Sequence, residues 1–321
     1  MRAQTELPTA NASSSSCETG SLAFLSRQLY LVSFLYGNET LMLSHFVQYY
    51  TRVVGVLPSH MRFLLDSAGA MEQTKRAVAL LVAAGINESS VQVLTGPLSP
   101  TGANYSESLK MRSINVFIRS LPKNAYVINS DVDELFSYPC DMERRVTKPD
   151  SPSQIWCGLM VDRMASDGKV RALLAEPDIS LQFPLPCYMR SHLRSNNKFH
   201  KVVLSRVYRT DGATTARAFE SAHEIHKMWG HYGSCRLLPS VAGRGQLAHY
   251  SMTRQALEFL AGKKSHAFGS NPHQMRDYGK QLKFLRMHLP ETADDARQHD
   301  WCTTRPRFNL TRHTITGVHQ G

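Results

Sequence analysis

Apolar and polar positions alternate in blocks along the first half of the chain. Leu29–Tyr36 is a continuous apolar run, the kind that is buried on both faces of a parallel sheet. Between Leu41 and Val54 the apolar residues recur at helical spacing instead. The same alternation continues, with strands predicted at 61–65, 91–94 and 125–129 and helices at 72–84 and 106–121. This β-α-β-α-β-α-β order predicts an α/β fold with a doubly wound, mostly parallel sheet flanked by helices.

The second half of the chain has a less regular pattern. Strands are predicted at 156–162 and 201–207, and Asp167-Gly168 is typical of a turn. A further helix is predicted at 253–262, beginning at the potential capping residue Thr253. We therefore expect an irregular C-terminal extension packed onto the regular α/β half.

Polar residues follow three of the predicted N-terminal strands. They are Asn38-Glu39, Asp66 and the pair Asp131/Asp133. In parallel sheets of this kind ligands bind at the carboxyl ends of the strands. We therefore expect these side chains to converge on one cleft.

The sharpest of these features is the D-x-D motif, Asp131-Val132-Asp133. Two carboxylates two residues apart, directly after a buried strand and before Glu134, can present oxygen ligands to one divalent cation. Mg²⁺ and Mn²⁺ prefer such ligands and commonly bridge to substrate phosphates. The alternative is an Asp-rich turn that binds nothing. The motif predicts a Mn²⁺ or Mg²⁺ site.

Charge and composition narrow the function classes. The chain has 37 Lys and Arg against 26 Asp and Glu, a net charge of +11. Basic residues exceed acidic ones most clearly over 185–245, which favours polyanionic or phosphate-bearing ligands, or else a basic solvated surface. The dense aromatic interleaving of a single-strand nucleic-acid platform is lacking there, so a nucleic-acid partner is not expected. No apolar run reaches the ~18 residues of a membrane helix.

The sequence gives opposing indications of the cellular compartment, a secretory lumen or the cytoplasm. Five asparagines (Asn11, Asn38, Asn87, Asn104 and Asn309) head N-x-S/T sequons, which favours a secretory lumen. The six cysteines form no C-x-x-C pair, so a zinc site is not expected, and their disulfide pairing cannot be assigned. No N-terminal signal segment is seen. We expect the Golgi or secretory lumen if the N-terminus is incomplete, and the cytoplasm otherwise.

Four stretches, in this order and spacing, carry a resemblance to a known enzyme class. They are Asn38-Glu39 with the following His45-Phe46 and Tyr49-Tyr50; Lys110, Asn115 and Leu121-Pro122 ahead of Asp131-Val132-Asp133-Glu134; 161–168 with Gln182-Phe183-Pro184; and His249-Tyr250 with Lys263 beyond. Over about residues 29–265 the chain resembles GT-A-type nucleotide-sugar glycosyltransferases. It is most similar to the family-2-like group with a D-x-D-E motif, close to family 92.

The sequence predicts a division of the chain into three parts. Its polar start, with a four-serine run, predicts a disordered leader at 1–26, and its polar and basic end predicts a tail at 291–321. The GT-A-like domain would span 27–290, with a nucleotide-sugar half at 27–140 and an acceptor half at 141–290.

The resemblance also implies a metal centre and a reaction. Asp131 and Asp133 would hold Mn²⁺ or Mg²⁺ against the donor's diphosphate, with His249 as a third ligand. A sugar would pass from a nucleotide-diphosphate donor to the hydroxyl of a glycan, protein or lipid acceptor, with inversion. Inversion requires a general base, for which Asp162 is the first candidate. The alternatives are a capping or packed His249 and an ion pair between Asp162 and Arg163.

The implied donor pocket draws on the first half of the chain. Asn38, Glu39 and Asp66 would line the nucleotide site, with Asn115 nearby. Lys110 would contact phosphate, unless it lies on an exposed helix face without a ligand. After Asp66 the chain departs from the longer polar cluster usual in the family.

Two other functions compete with the transferase. In a haloacid-dehalogenase-type phosphatase, Asp131 would be the nucleophile and Asp133 the acid/base, and Asp294-Asp295 would supply the later acidic pair. That motif normally lies nearer the N-terminus. The second alternative is a non-catalytic module that binds glycans or polyanions through the basic region 185–245.

Overall fold

A mixed sheet is the centre of the fold. The structure is a computed structural model that describes residues 21–36, 40–66, 71–94, 107–147, 155–187, 200–207, 236–238 and 247–250, together with 283 and 286. Ten strands among these residues form one sheet. The strands are β1 (Leu29–Tyr36), β2 (Met61–Asp66), β3 (Val91–Leu94), β4 (Tyr126–Asn129), β5 (Glu134–Phe136), β6 (Ile155–Met164), β7 (Leu185–Cys187), β8 (His200–Arg206), β9 (Arg236–Leu237) and β10 (Leu247–His249).

The described helices lie mainly in the first half of the chain. The α-helices are α1 (Thr40–Tyr49), α2 (Met71–Ala83), α3 (Glu107–Ser120), α4 (Met142–Thr147) and α5 (Ile179–Gln182). A π-helix, Tyr50–Val54, continues α1, and short 3₁₀ turns cover Ala23–Gln28, Pro58–His60 and Glu88–Ser90. None of the helices in the described ranges is both long and apolar enough to cross a membrane.

The strand order is β3-β2-β1-β4-β8-β6-β10-β5, with β7 and β9 also paired to β6. Pairing is parallel through β3-β2-β1-β4 and mixed beyond, where β8 runs antiparallel to both β4 and β6. The carboxyl ends of β1, β2 and β4 therefore lie at one edge of the sheet. The predicted α/β fold, with its parallel N-terminal half and less regular second half, is confirmed.

Helices cover both faces of the parallel strands. Leu31 and Leu35 of β1 belong to a core cluster that includes buried residues of α1 and α2. Val32 and Phe34 point the other way, into a second cluster with residues of α3. This alternation follows from the two-residue period of a strand. Because β1 is apolar at nearly every position, it packs on both faces, as a doubly wound sheet requires.

The domain begins earlier in the chain than predicted. Leu22 is fully buried and its N–H donates to the Val54 carbonyl oxygen at 2.8 Å. Gly55, with φ of +90°, closes the π-helix there, and a Cβ at this position would lie 2.8 Å from the Ala23 Cβ. Leu25 is also buried. The predicted leader boundary at residue 26 is therefore wrong, since apolar burial ties residues 21–26 to the core; residues 1–20 lie outside the described residues.

The predicted element bounds in the first half agree closely with the structure. The strands at 29–36 and 91–94 have the predicted bounds, and β2, β4, α2 and α3 differ from prediction by one residue at each changed end. The helix predicted to run to Val54 instead changes to π geometry after Tyr49. The predicted helix 253–262 and tail 291–321 lie outside the described residues.

Candidate functional site

The D-x-D motif forms a short turn that joins β4 to β5. The Glu134 N–H donates to the Asp131 carbonyl oxygen at 3.0 Å and closes the turn. Val132 is buried in the core, whereas the side chains of Asp131 and Asp133 retain 26% and 30% of their exposure. The apolar residue between the two aspartates therefore anchors the turn and leaves both carboxylates within reach of solvent and ligands.

The buried side chain of Tyr50 makes hydrogen bonds to residues on either side of this turn. Its hydroxyl lies 3.0 Å from Ser130 Oγ and 3.1 Å from the Glu134 carbonyl oxygen, and it accepts a hydrogen bond from the Phe136 N–H at 3.2 Å. Burial raises the pKa of Tyr50 well above its ordinary value, so the phenol stays neutral and keeps its proton for donation. Tyr50 is the first residue of the π-helix that continues α1.

Three neighbouring strands bring further polar side chains beside the turn. His249 of β10 is in register with Glu134 of β5 on one side and with Asp162 of β6 on the other. Residues in register on adjacent strands project from the same face of a sheet. All three side chains are buried. Glu134, His249 and Asp162 therefore form a row of buried polar residues, here called the polar row, beside the partly exposed turn.

The imidazole of His249 lies between two carboxylates. Its Nδ1 is 2.6 Å from Asp162 Oδ1, and its Nε2 is 3.1 Å from Asp133 Oδ2. One ligand atom each from Asp133, Glu134 and His249 lies within 4.8 Å of the other two. Two carboxylate oxygens and an imidazole nitrogen form a donor set suited to Mn²⁺, which accepts oxygen and nitrogen ligands.

Two buried lysines also reach the acidic turn. Lys110 of α3 places Nζ 2.8 Å from Asp131 Oδ1, and the same ammonium lies 5.1 Å from the centre of the Phe34 ring. Lys201 of β8 donates to Glu134 Oε2 and lies 3.6 Å from Asp131 Oδ2. The Asp131 N–H donates to Glu134 Oε2 at 3.2 Å, which ties the two acidic residues together. Both oxygens of Asp131 therefore face lysine ammonium groups.

The structure brings together part of the predicted metal site. Asp133 and His249 are adjacent, as predicted, and Glu134 joins them in the group of possible ligands. Asp131 is instead held by Lys110. Asp162 bonds to His249, whereas its neighbour Arg163 donates to the Pro184 carbonyl oxygen at 3.4 Å.

The structure describes some of the residues that were predicted to line the nucleotide-sugar pocket. Lys110 and Asn115 are both buried on α3, so the exposed helix face considered for Lys110 is wrong. Asp66 ends β2, where its backbone is in register with Tyr36 and Leu94. Asn38 and Glu39 lie outside the described residues, as do Asp294 and Asp295 of the phosphatase alternative.

Sequence reasoning missed Lys201, the hydrogen-bonding role of Tyr50 and the ligand role available to Glu134. A signal existed for Lys201, because it stands at the start of the apolar segment Lys201–Val207. A charged residue in such a strand must be paired when it is buried. For Tyr50 the helical spacing predicted burial but not the hydroxyl's partners, which come from residues 80 or more positions away.

Disulfide-bonded cysteines lie near the site. Cys140, Cys157 and Cys187 are each disulfide-bonded, and none of the described cysteines is free. Cys187 of β7 is in register with Asp162 of β6. A covalent crosslink therefore starts directly beside the polar row.

Comparisons with known proteins give weak likenesses. No protein-family model and no curated protein matches the sequence. The crystal structure of S. aureus TarS 1-349 is 9% identical, over 81% of this chain and 71% of that chain, with a TM-score of 0.32. Galactosyltransferase LgtC, solved with donor and acceptor sugar analogues, is 11% identical over 77% of this chain and 99% of that chain, with a TM-score of 0.31. 4-Diphosphocytidyl-2C-methyl-D-erythritol synthase is 10% identical, over 67% of this chain and 89% of that chain, with a TM-score of 0.29. Likenesses of this size do not identify a function.

Proposed function

We propose that this chain is a metal-dependent glycosyltransferase that moves a sugar from a nucleotide-diphosphate donor to the hydroxyl of a glycan, protein or lipid acceptor. The observation that carries the proposal is the cluster of Asp133, Glu134 and His249. It lies beside the D-x-D turn at the carboxyl end of β4, where ligands of such sheets bind.

The donor set fits a divalent cation. Asp133 and His249 would hold Mn²⁺ or Mg²⁺, and Asp131 and Glu134 would hold it if their lysine contacts rearrange. The imidazole favours Mn²⁺ over Mg²⁺, because Mg²⁺ prefers an all-oxygen shell. The bound cation would supply Lewis-acid stabilisation of the leaving diphosphate.

The chain's own cations have a complementary role. Lys110 projects from α3 toward the turn and is buried against Phe34, so its ammonium is held in a poorly solvated position. A positioned cation in such surroundings stabilises a developing negative charge more strongly than one in water. Lys110 would hold the donor's diphosphate, in line with its predicted phosphate contact.

The hydrogen bond between Asp162 and His249 supports a positioning role for Asp162. A carboxylate that accepts from one ring nitrogen fixes the tautomer and leaves the other nitrogen free to bind a metal. Asp162 would in this way aim His249 Nε2 toward the site. The predicted role of Asp162 as the general base for inversion stays a prediction, and the two roles give different kinetic results.

A secretory-lumen location accords with two observations. The disulfides at Cys140, Cys157 and Cys187 form and persist in oxidising compartments. The sequon asparagine Asn87 is exposed in the turn before β3, where a glycan could be attached.

Turnover of nucleotide sugars tests the proposal. The protein is incubated with a panel of UDP- and GDP-sugars and candidate acceptors, and released nucleoside diphosphate is measured. Turnover should require Mn²⁺ or Mg²⁺, stop with EDTA and be lost in Asp133→Asn.

Asp141→Asn is the matched control. It removes the same charge from a carboxylate that pairs with Arg145 outside the site, so it should keep wild-type turnover. Full activity of the Asp133 variant, or activity indifferent to EDTA, would contradict the proposal.

A further inference from the structure

Lys201 is the buried charge at the site that the proposed reaction does not use. Its ammonium donates to Glu134 Oε2 and lies 3.6 Å from Asp131 Oδ2. Both Lys201 and Glu134 are almost fully buried. One of the candidate metal ligands is therefore already engaged by a positive charge that comes from a different strand.

The local charges explain why this contact matters. Four carboxylates (Asp131, Asp133, Glu134 and Asp162) lie in the turn and on the strands beside it, and without a positive partner they would attract any divalent cation strongly. Lys110 and Lys201 cancel two of these charges. The interaction between buried charges is weakly screened, so a cation at Asp133 and His249 is repelled by the Lys201 ammonium one carboxylate away.

We propose that Lys201 is a selectivity residue that suppresses binding of a divalent cation alone and favours binding of a cation together with a diphosphate. The same ammonium that repels the cation attracts the diphosphate. The inference rests on the proposed function, because it assigns the anion as the donor's diphosphate. It differs from a merely structural role, which would make the two ligands gain or lose affinity together.

The test measures the two ligands separately. Mn²⁺ binding without nucleotide is measured by electron paramagnetic resonance, and UDP and GDP binding without metal by calorimetry. In Lys201→Met, Mn²⁺ should bind about tenfold more tightly and the diphosphate about tenfold more weakly. Lys201→Arg keeps the charge and should stay within about threefold of wild type for both ligands.

Lys75→Met is the control for net charge, since Lys75 pairs with Glu72 on the exposed face of α2. It should change neither affinity. If Lys201→Met binds both ligands more weakly, or binds Mn²⁺ as the wild type does, the proposal is overturned. Because the first measurement needs no nucleotide, this outcome is distinct from failure of the proposed function, which would show as absence of UDP and GDP binding to the wild type even with Mn²⁺ present.

A second pair of variants covers the case in which Lys201→Met does not fold, since Glu134 would then be buried without its cation. Glu134→Gln keeps the lysine, and the double variant Glu134→Gln/Lys201→Met removes both charges of the pair. The double variant should bind Mn²⁺ about tenfold more tightly than Glu134→Gln. Equal Mn²⁺ affinities of these two proteins would also overturn the proposal.

Discussion

Replacing Asp162 with asparagine separates two roles for this buried residue. Asparagine has nearly the same size and keeps one oxygen that can accept from His249 Nδ1, now at 2.6 Å from Asp162 Oδ1. The substitution removes the negative charge that makes the hydrogen bond strong and the imidazole a better metal ligand.

The expected loss follows from the hydrogen bond. A hydrogen bond to a charged group contributes about 1.5–3 kcal/mol. Since about 1.4 kcal/mol changes a Kd tenfold, losing most of this energy would raise the Kd for the metal about 10- to 100-fold. Loss of an outer partner of a metal-binding histidine has an effect of this size in general.

The assay is a Mn²⁺ titration of the folded variant, followed by kcat at saturating Mn²⁺. A positioning role predicts weaker Mn²⁺ binding and a kcat that largely recovers when metal is added. A general base predicts unchanged Mn²⁺ affinity and a kcat lowered by about 10²–10⁴ at any metal concentration. Wild-type Mn²⁺ affinity in a folded Asp162→Asn protein would refute the positioning role.

Three further predictions concern stability and modification. Tyr50→Phe should lower the free energy of unfolding by about 1–3 kcal/mol in urea titrations, since the buried Phe136 N–H loses its acceptor; an unchanged stability would contradict the proposed support of the turn. The hydrogen bond from Arg145 holds the pKa of Asp141 below its ordinary value. The pair should therefore stabilise the protein by less than about 1 kcal/mol above pH ~4 and lose this effect as the pH falls through the lowered pKa. The stability difference between wild type and Asp141→Asn should vanish in acid, and a difference that grows there would refute this assignment. In secreted material from a eukaryotic host, Asn87→Gln should remove one glycan by mass, whereas an unchanged glycan mass would show that this exposed sequon is not used.

Local patterns predicted the regular half of the fold. The bounds of β1 were predicted because its apolar run is continuous, and a strand with helices on both faces has no polar side. The π-helix after Tyr49 was not predicted, because apolar spacing cannot distinguish π from α geometry over a single turn. The leader boundary was misplaced because Leu22 precedes, and Leu25 lies in, a 3₁₀ segment too short to show a detectable period.

The sequence predicted site residues that directly follow a strand, but not the contacts between distant elements. Asp133 could be predicted from the strand that precedes it, and His249 was named through a resemblance. The pairing of Asp131 with two lysines could not be predicted, because Lys110 and Lys201 belong to the distant elements α3 and β8. Glu134 becomes a candidate ligand because β10 inserts between β5 and β6, a pairing across more than 80 residues of sequence.

The most direct test of the account is a thermal-shift panel with UDP, GDP and CMP, each with and without Mn²⁺. It compares wild type with Asp133→Asn and with the control Asp141→Asn. A ligand at one hundred times its Kd adds about 2.7 kcal/mol of stability, which is readily measured as a higher Tm. The account predicts a Mn²⁺-dependent shift with one nucleoside diphosphate in wild type and control and its loss in Asp133→Asn. The absence of a shift with every nucleotide, or an equal shift in Asp133→Asn, would contradict it.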